Sequence, residues 1–281
     1  MNKSRPVKEV IEPKYVMEGA GVLLRRSIVP LVSNRFDPFL LFDHFAFNDP
    51  AEGPIRGFPM HPHRGIETVT YILQGSVNHR DSLGNAGLIG PGDVQWMTAG
   101  GGILHEEMPR RGPDGNINGF QLWVNLPANL KMSQPSYREV AASTIPVFEG
   151  AGCRVRIVAG MVGSLIGPVT EIVANPLYLD VTLEAGRIFN VPVPEKHTCF
   201  AYVFDGKGSF EDTEVEAVHM VVFGLGDQVK VRAGISPVRF VLVAGRPIGE
   251  SIVPYGPFVM NTPEEIQQAL TDLKNGTFVR T

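Results

Sequence analysis

Between residues 20 and 125, apolar positions come in short runs or alternate with polar ones, and turn residues interrupt them. "GVLLRRSIV", "FLLFDHFAF", "ETVTYILQG", "GLIG", "GDVQWMTAG" and "GFQLWVNL" each fit a β-strand, whose successive side chains point to opposite faces. "DSLGN" (81–85) and "GPGD" (90–93) read as turns between them. Short strands at regular spacing predict a sandwich or barrel. Strand-like runs resume in the second half with "CRVRIVAGMVG", "LYLDVTL", "IFNVPVP", "CFAYVFDGKGSF", "AVHMVVFGLGDQVKVRAG" and "PVRFVLVAGRPIG". Residues 127–150 lack this texture and read as a connection.

The halves share a faint pattern. "HRGIETVTYILQGSV" and "HTCFAYVFDGKGSF" both run from a His through a strand to Gly and a turn, and Gly92-Asp93 has a counterpart in Gly226-Asp227. The expected organisation is an all-β chain: a first β-domain over 1–130, a connection over 131–146, a second β-domain over 147–250 and a tail over 251–281. The tail changes period. In "NTPEEIQQALTDLKNG", Thr262 suits the N-cap, Pro263 the first helical position and Glu265 a capping box. Ile266, Leu270 and Leu273 share one face, and Gly276 ends the helix.

Composition changes this picture little. Apolar residues make up 43% and charged residues 19%, as in ordinary globular chains. The many Gly (31) and Pro (23) residues favour turns over long helices. A net charge of −4 argues against a nucleic-acid binder. Lys3, Arg5, Lys8, Lys14, Arg25 and Arg26 make the N-terminal region basic, and we expect a solvated edge there. Cys153 and Cys199 imply no disulfide framework, and reduced thiols are expected. With neither a signal-like segment nor a membrane-length apolar run, the expectation is a cytoplasmic protein that does not engage a membrane.

The chemistry lies in seven histidines. His61 and His63 stand one residue apart in "GFPMHPHRGIETVTYILQG", and His105 and Glu107 do the same in "WMTAGGGILHEEMP". Residues i and i+2 of a strand share a face, so each pair can present both side chains to one cavity. The glycines at 100–102 suit a bend that returns the chain toward the first pair. Three imidazoles and a carboxylate make a nitrogen/oxygen site that suits Fe(II) first, and also Mn, Ni, Cu or Zn. Glu67 continues the parity of His63; it could be a further ligand, a partner orienting an imidazole, or an ion-pair partner of Arg64, and we favour the orienting role. His44 reads as core or cavity wall, and His79 as exposed or bonded to Asp81. The second half is expected to lack a metal.

"HPHRGIETVTYILQG", "HRDSLGNAGLIGPGDVQWMTAGGGILHEEMP" and the late "YGPFVMNT" resemble the pirins, a branch of the cupin superfamily. The resemblance spans nearly the whole chain and is densest over 57–109. It implies a bicupin: two face-to-face β-barrels of jelly-roll type, the N-terminal one holding iron and the C-terminal one degenerate. Carried over, the ligands are His61, His63, His105 and Glu107, whereas many other cupins would use Glu67. Glu106 stands where a smaller residue is expected, and alternation should turn it away.

For function, the resemblance implies an Fe(II)-dependent quercetin 2,3-dioxygenase that cleaves a flavonol with release of carbon monoxide. Glu107 or Glu67 would be the catalytic base, and Phe58, Met60, Val69, Tyr71, Trp96, Met97 and Phe120 would wall an aromatic substrate. The alternative it implies is a redox-sensitive regulator that binds a transcription or metabolic partner protein. A monomer is expected, because each barrel can cover the other's sheet.

Overall fold

The structure, a computed structural model, describes residues 3–46 and 57–279. The expected run 39–47 is a strand over Phe39–Ala46; Phe47 lies outside the described residues. The chain is mostly β, with one α-helix among the described residues, Pro263–Asn275. It divides into two compact units. One joins 14–142 to 248–279, and the other joins 3–13 to 143–247.

Besides the two-stranded hairpin Val253–Tyr255 with Phe258–Met260, the first unit holds two larger antiparallel sheets. The larger has seven strands in the order Ser136–Val140, Val94–Thr98, Ile66–Gln74, Asn118–Asn125, Phe39–Ala46, Val22–Ile28, Lys14–Glu18. The smaller has four, in the order Phe58–His63, Ile103–Arg110, Ser76–Asp81, Ala86–Ile89. Register sets a polar row across one face of the large sheet: Arg26 lies opposite Asp43, Asp43 opposite Gln121, Gln121 opposite Thr70, and Thr70 opposite Gln95. Residues of odd offset from this row, such as Glu67, Val69, Tyr71, Trp96 and Phe120, occupy the other face.

The second unit is a nine-stranded sheet around a dense apolar core. Leu177, Leu179, Val181 and Leu183 alternate into that core from one strand, and Val229, Val231, Phe240 and Leu242 from the long strand Gln228–Gly245. Alternation of this kind is what buries one face of each strand and makes the strand stable there.

Packing in space exchanges the ends that the sequence order suggests. The strand Val7–Ile11 pairs with His219–Phe223 in the second unit, and the tail joins the first. The connecting stretch is not bare loop either: Ser136–Val140 adds an edge strand to one sheet and Val147–Gly150 an edge strand to the other. Edge strands pair on one side only, so their apolar pattern is weak and easily missed. The basic N-terminal region is only partly solvated. Arg5 is 1% exposed and donates to the carbonyls of Gly224, Pro194 and Glu195. Arg26 is largely buried between Asp43 and Glu18.

The tail helix starts at a complete capping box: Thr262 accepts from the Glu265 amide, and the Glu265 carboxylate accepts from the Thr262 amide. Ile266 and Ala269 pack against Phe258, Met260 and Phe278, with Leu270 at the margin. Leu273, expected on the buried face, is 37% exposed at the helix end. Cys153 and Cys199 are both free. No helix among the described residues is long and apolar enough to cross a membrane.

Candidate metal centre

His61 and His63 lie on the strand Phe58–His63, and His105 on its antiparallel neighbour Ile103–Arg110. His105 is directly opposite His61, and Ile103 opposite His63. Two glycine corners bring the strands into this register. The Gly65 amide donates to the Gly100 carbonyl at 2.8 Å. At Gly102 the backbone is left-handed (φ +140°), and a side chain would collide with the Phe278 carbonyl.

The three rings converge. His61 and His105 have centroids 4.3 Å apart, and His63 lies 4.9 Å from each. All three can turn a ligand nitrogen toward one point, with these atoms within 4.8 Å of one another. Two tautomers are fixed by backbone carbonyls, which can only accept. His61 Nδ1 donates to Pro59 O at 2.9 Å, and His63 Nδ1 donates to Pro257 O at 3.3 Å. Both Nε2 atoms therefore face each other as bare lone pairs, 3.1 Å apart. That contact is repulsive between neutral rings unless an electrophile is shared. Two nitrogens about 2.1 Å from one ion are about 3.0 Å apart at a right angle and about 3.4 Å at a tetrahedral one. The spacing lies in the range that two ligands of one ion span.

Burial supports the same conclusion. His105 is fully buried, and neither ring nitrogen has a hydrogen-bond partner. Such a group is unfavourable unless a bound species satisfies it. Burial, with the neighbouring imidazoles adding to it, holds His63 and His105 well below the usual histidine range, so both are neutral and able to donate lone pairs. The residues present therefore suit a divalent transition metal.

Glu107 is buried and lines the same pocket as His61 and His63, but its carboxylate is not among the mutually close ligand atoms of the three histidines. Against the His61 strand the register slips: two residues from His105 to Glu107 span three from His61 to Phe58. A bulge of this kind re-aims side chains beside a site. Thr70 Oγ1 donates to one Glu107 oxygen at 3.0 Å, and Gln121 Nε2 to the other at 2.9 Å. Trp123 Nε1 donates to Gln121 Oε1 at 3.2 Å, and the Trp123 ring meets His63 edge-on at 5.1 Å. Glu106 faces away and reaches Arg80 at 3.1 Å.

The structure does not bring Glu67 to this cluster. Thr70 reaches Glu107, and Glu67, three residues earlier on the same regular strand, faces the other way. It accepts instead from Thr98 Oγ1 at 2.9 Å. Arg64, its expected ion partner, pairs with Asp272 at 2.7 Å. The parity argument failed because Gly65 (φ +78°) separates two strands of different sheets, and alternation restarts there. This removes Glu67 as a catalytic base or ligand.

The substrate wall also differs from expectation. A pocket of about 480 Å³ opens beside His61 and His63, lined by Leu24, Leu41, Phe45, Phe58, Val77 and Trp123, with Glu18, Arg26 and Asp43 on one flank. Of the expected wall only Phe58 is there; Val69, Tyr71, Trp96 and Phe120 occupy the other face of the sheet, Met97 is core, and Met60 is 45% exposed. His79 is buried, not exposed: it stacks on Tyr137 at 4.9 Å, lies 3.5 Å from Asp81 and sits 5.5 Å from the His105 ring. Its spacing of two from Asp81 on one strand was the available signal. Gln121, Thr70 and Pro257 carried none. His44 is a buried core ring bonded to Asn118 at 2.9 Å, with burial pushing it down to about 4.

Two β units, one with an imidazole cluster opening on an apolar pocket, define a bicupin with a metal-binding site. Family profiles agree: the Pirin profile matches residues 23–124, and the Pirin C-terminal cupin domain profile matches 178–279. A pirin-like protein of Caulobacter vibrioides is 44% identical, with 98% of this chain and 99% of that protein covered. A Pseudomonas aeruginosa protein, provisionally described as a quercetin 2,3-dioxygenase, is 41% identical with 98% and 99% covered. A solved quercetin 2,3-dioxygenase from Acinetobacter baumannii superposes with a TM-score of 0.88 at 33% identity, with 98% of each chain covered. The chain belongs to the pirin family.

Proposed function

We propose that the protein is a metal-dependent dioxygenase, with Fe(II) as its metal, that cleaves quercetin-type flavonols with dioxygen into a depside and carbon monoxide. The observation that carries this reading is the convergence of His61, His63 and His105 beside an apolar pocket of a size suited to one small aromatic molecule. The descriptions of the Pseudomonas and Acinetobacter relatives support the reaction class.

His61, His63 and His105 would hold the metal, with Glu107 as the fourth ligand. A bound metal supplies a Lewis acid that lowers the pKa of the substrate's 3-hydroxyl. Pro59 and Pro257 carbonyls keep the imidazole lone pairs aimed inward. Thr70 and Gln121 fix both oxygens of Glu107, whose remaining lone pairs can accept the hydroxyl proton. Phe58, Leu41 and Trp123 flank the flat ring system and exclude water.

The test loads purified protein with Fe(II) without oxygen, then admits oxygen and follows quercetin loss together with carbon monoxide release. Turnover is expected in the loaded protein and is lost in His61→Ala. Stoichiometric metal binding without turnover would end the dioxygenase reading in favour of the regulatory one.

A further inference from the structure

One charged group on the pocket wall has no part in holding the metal. Arg26 Nε and Nη2 donate to the two oxygens of Asp43 at 2.8 and 2.7 Å, and Nη1 donates to Glu18 at 2.8 Å. All three guanidinium nitrogens thus donate to carboxylates, so an incoming anion would have to compete with Asp43 and Glu18 for Arg26. Two carboxylates against one guanidinium leave the group net negative. Asp43 is 3% exposed, so its field is poorly screened by water; Glu18 is half-exposed at the edge.

Register locates the group. Asp43 lies one strand from Gln121, a spacing of about 4.8 Å, and Gln121 holds Glu107. With a divalent cation at the histidines, the pocket is polarised: positive at the imidazoles and negative on the Asp43–Glu18 flank. The apolar side chains of Phe45 and Leu24 line the same pocket.

We infer that Asp43 and Glu18, pinned by Arg26, determine specificity: they admit aromatic substrates whose part remote from the metal is neutral and bears hydroxyl donors, and reject those with a carboxylate there. The carboxylate oxygens keep lone pairs that can accept from a phenolic hydroxyl. An acid at the same place meets like charge, and the one cationic side chain among the described residues that line the pocket, Arg26, is already held by carboxylates. This rests on the flavonol reading for the scaffold, but its test reads binding rather than turnover.

Protein loaded with a divalent metal is titrated with three probes while tryptophan fluorescence is followed, because Trp123 lines the pocket. The probes are quercetin, 3-hydroxyflavone, which lacks the remote hydroxyls, and a flavonol carrying a carboxylate on the remote ring. Quercetin should bind tightest and the carboxylated probe at least tenfold more weakly. Glu18→Gln, a change at a half-exposed side chain, should narrow that ratio about threefold, and Glu18→Lys should narrow it further. This ordering supports the inference even where no probe is turned over. Equal binding of the neutral and carboxylated probes, or a ratio that neither variant moves, overturns it even where quercetin is cleaved.

Discussion

Burial raises the Glu67 carboxyl to about 7, and the hydrogen bond from Thr98, with Trp96 and Arg138 nearby, opposes that shift only in part. The consequence is for stability. An unfolded Glu titrates near its ordinary value of about 4.3. Because the folded value is higher, the stability this group contributes is complete below the unfolded pKa. It is lost as pH rises toward the folded value, and the loss levels off above pH 7. Glu67→Gln keeps an oxygen for Thr98 and removes the titration. Thermal unfolding should show the variant gaining roughly 1 to 3 kcal/mol on the wild type at pH 8 and little at pH 4. An equal effect at both values would show that burial of this carboxyl is not the cause. Since Glu67 faces away from the histidines, metal binding should be unaffected.

Among the elements, the tail governs the site most directly. The hairpin Val253–Tyr255 and Phe258–Met260 presents the Pro257 carbonyl that fixes His63. Three ties hold it: Lys131 Nζ donates to Val259 O at 2.7 Å, the Val259 amide donates to Arg64 O at 3.1 Å, and Arg64 pairs with Asp272 of the helix. Arg64 also lies over the Phe278 ring at 4.4 Å. Asp272→Ala leaves the buried Arg64 without its carboxylate, which should cost about 3 kcal/mol of stability. Its further effect should be on the centre: chelator competition should show metal affinity down about tenfold, as His63 loses a firm partner. Affinity that stays at the wild-type level would show that the tail is a brace alone.

For the whole molecule, the proposed centre belongs to one of two units. The metal should therefore stabilise unevenly. At a free concentration of about 1,000 times its Kd, a ligand that binds only the folded state adds roughly 4 kcal/mol. Hydrogen exchange on loading should slow in the unit of residues 14–142 and 248–279, most of all in Phe58–His63 and Ile103–Arg110. The sheet strands around Leu179 and Phe240 should change least. In His61→Ala the slowing should disappear; slowing of equal size in both units would contradict a centre confined to one.

By itself the sequence determined what is local. Alternation marked most strands, Thr262 to Glu265 spelled out the helix start, and spacings of two put His61 with His63, and His105 with Glu107, on shared strand faces. These signals survive because each is confined to one unbroken element. Only the tertiary structure decided which faces met. It turned Glu67 away across the Gly65 corner, buried Arg5 and Arg26, exchanged the chain ends, and supplied Thr70, Gln121 and the Pro257 carbonyl from three other segments. Strand parity does not pass through a turn into another sheet, and partners distant in sequence are chosen by burial and register, which no short stretch encodes.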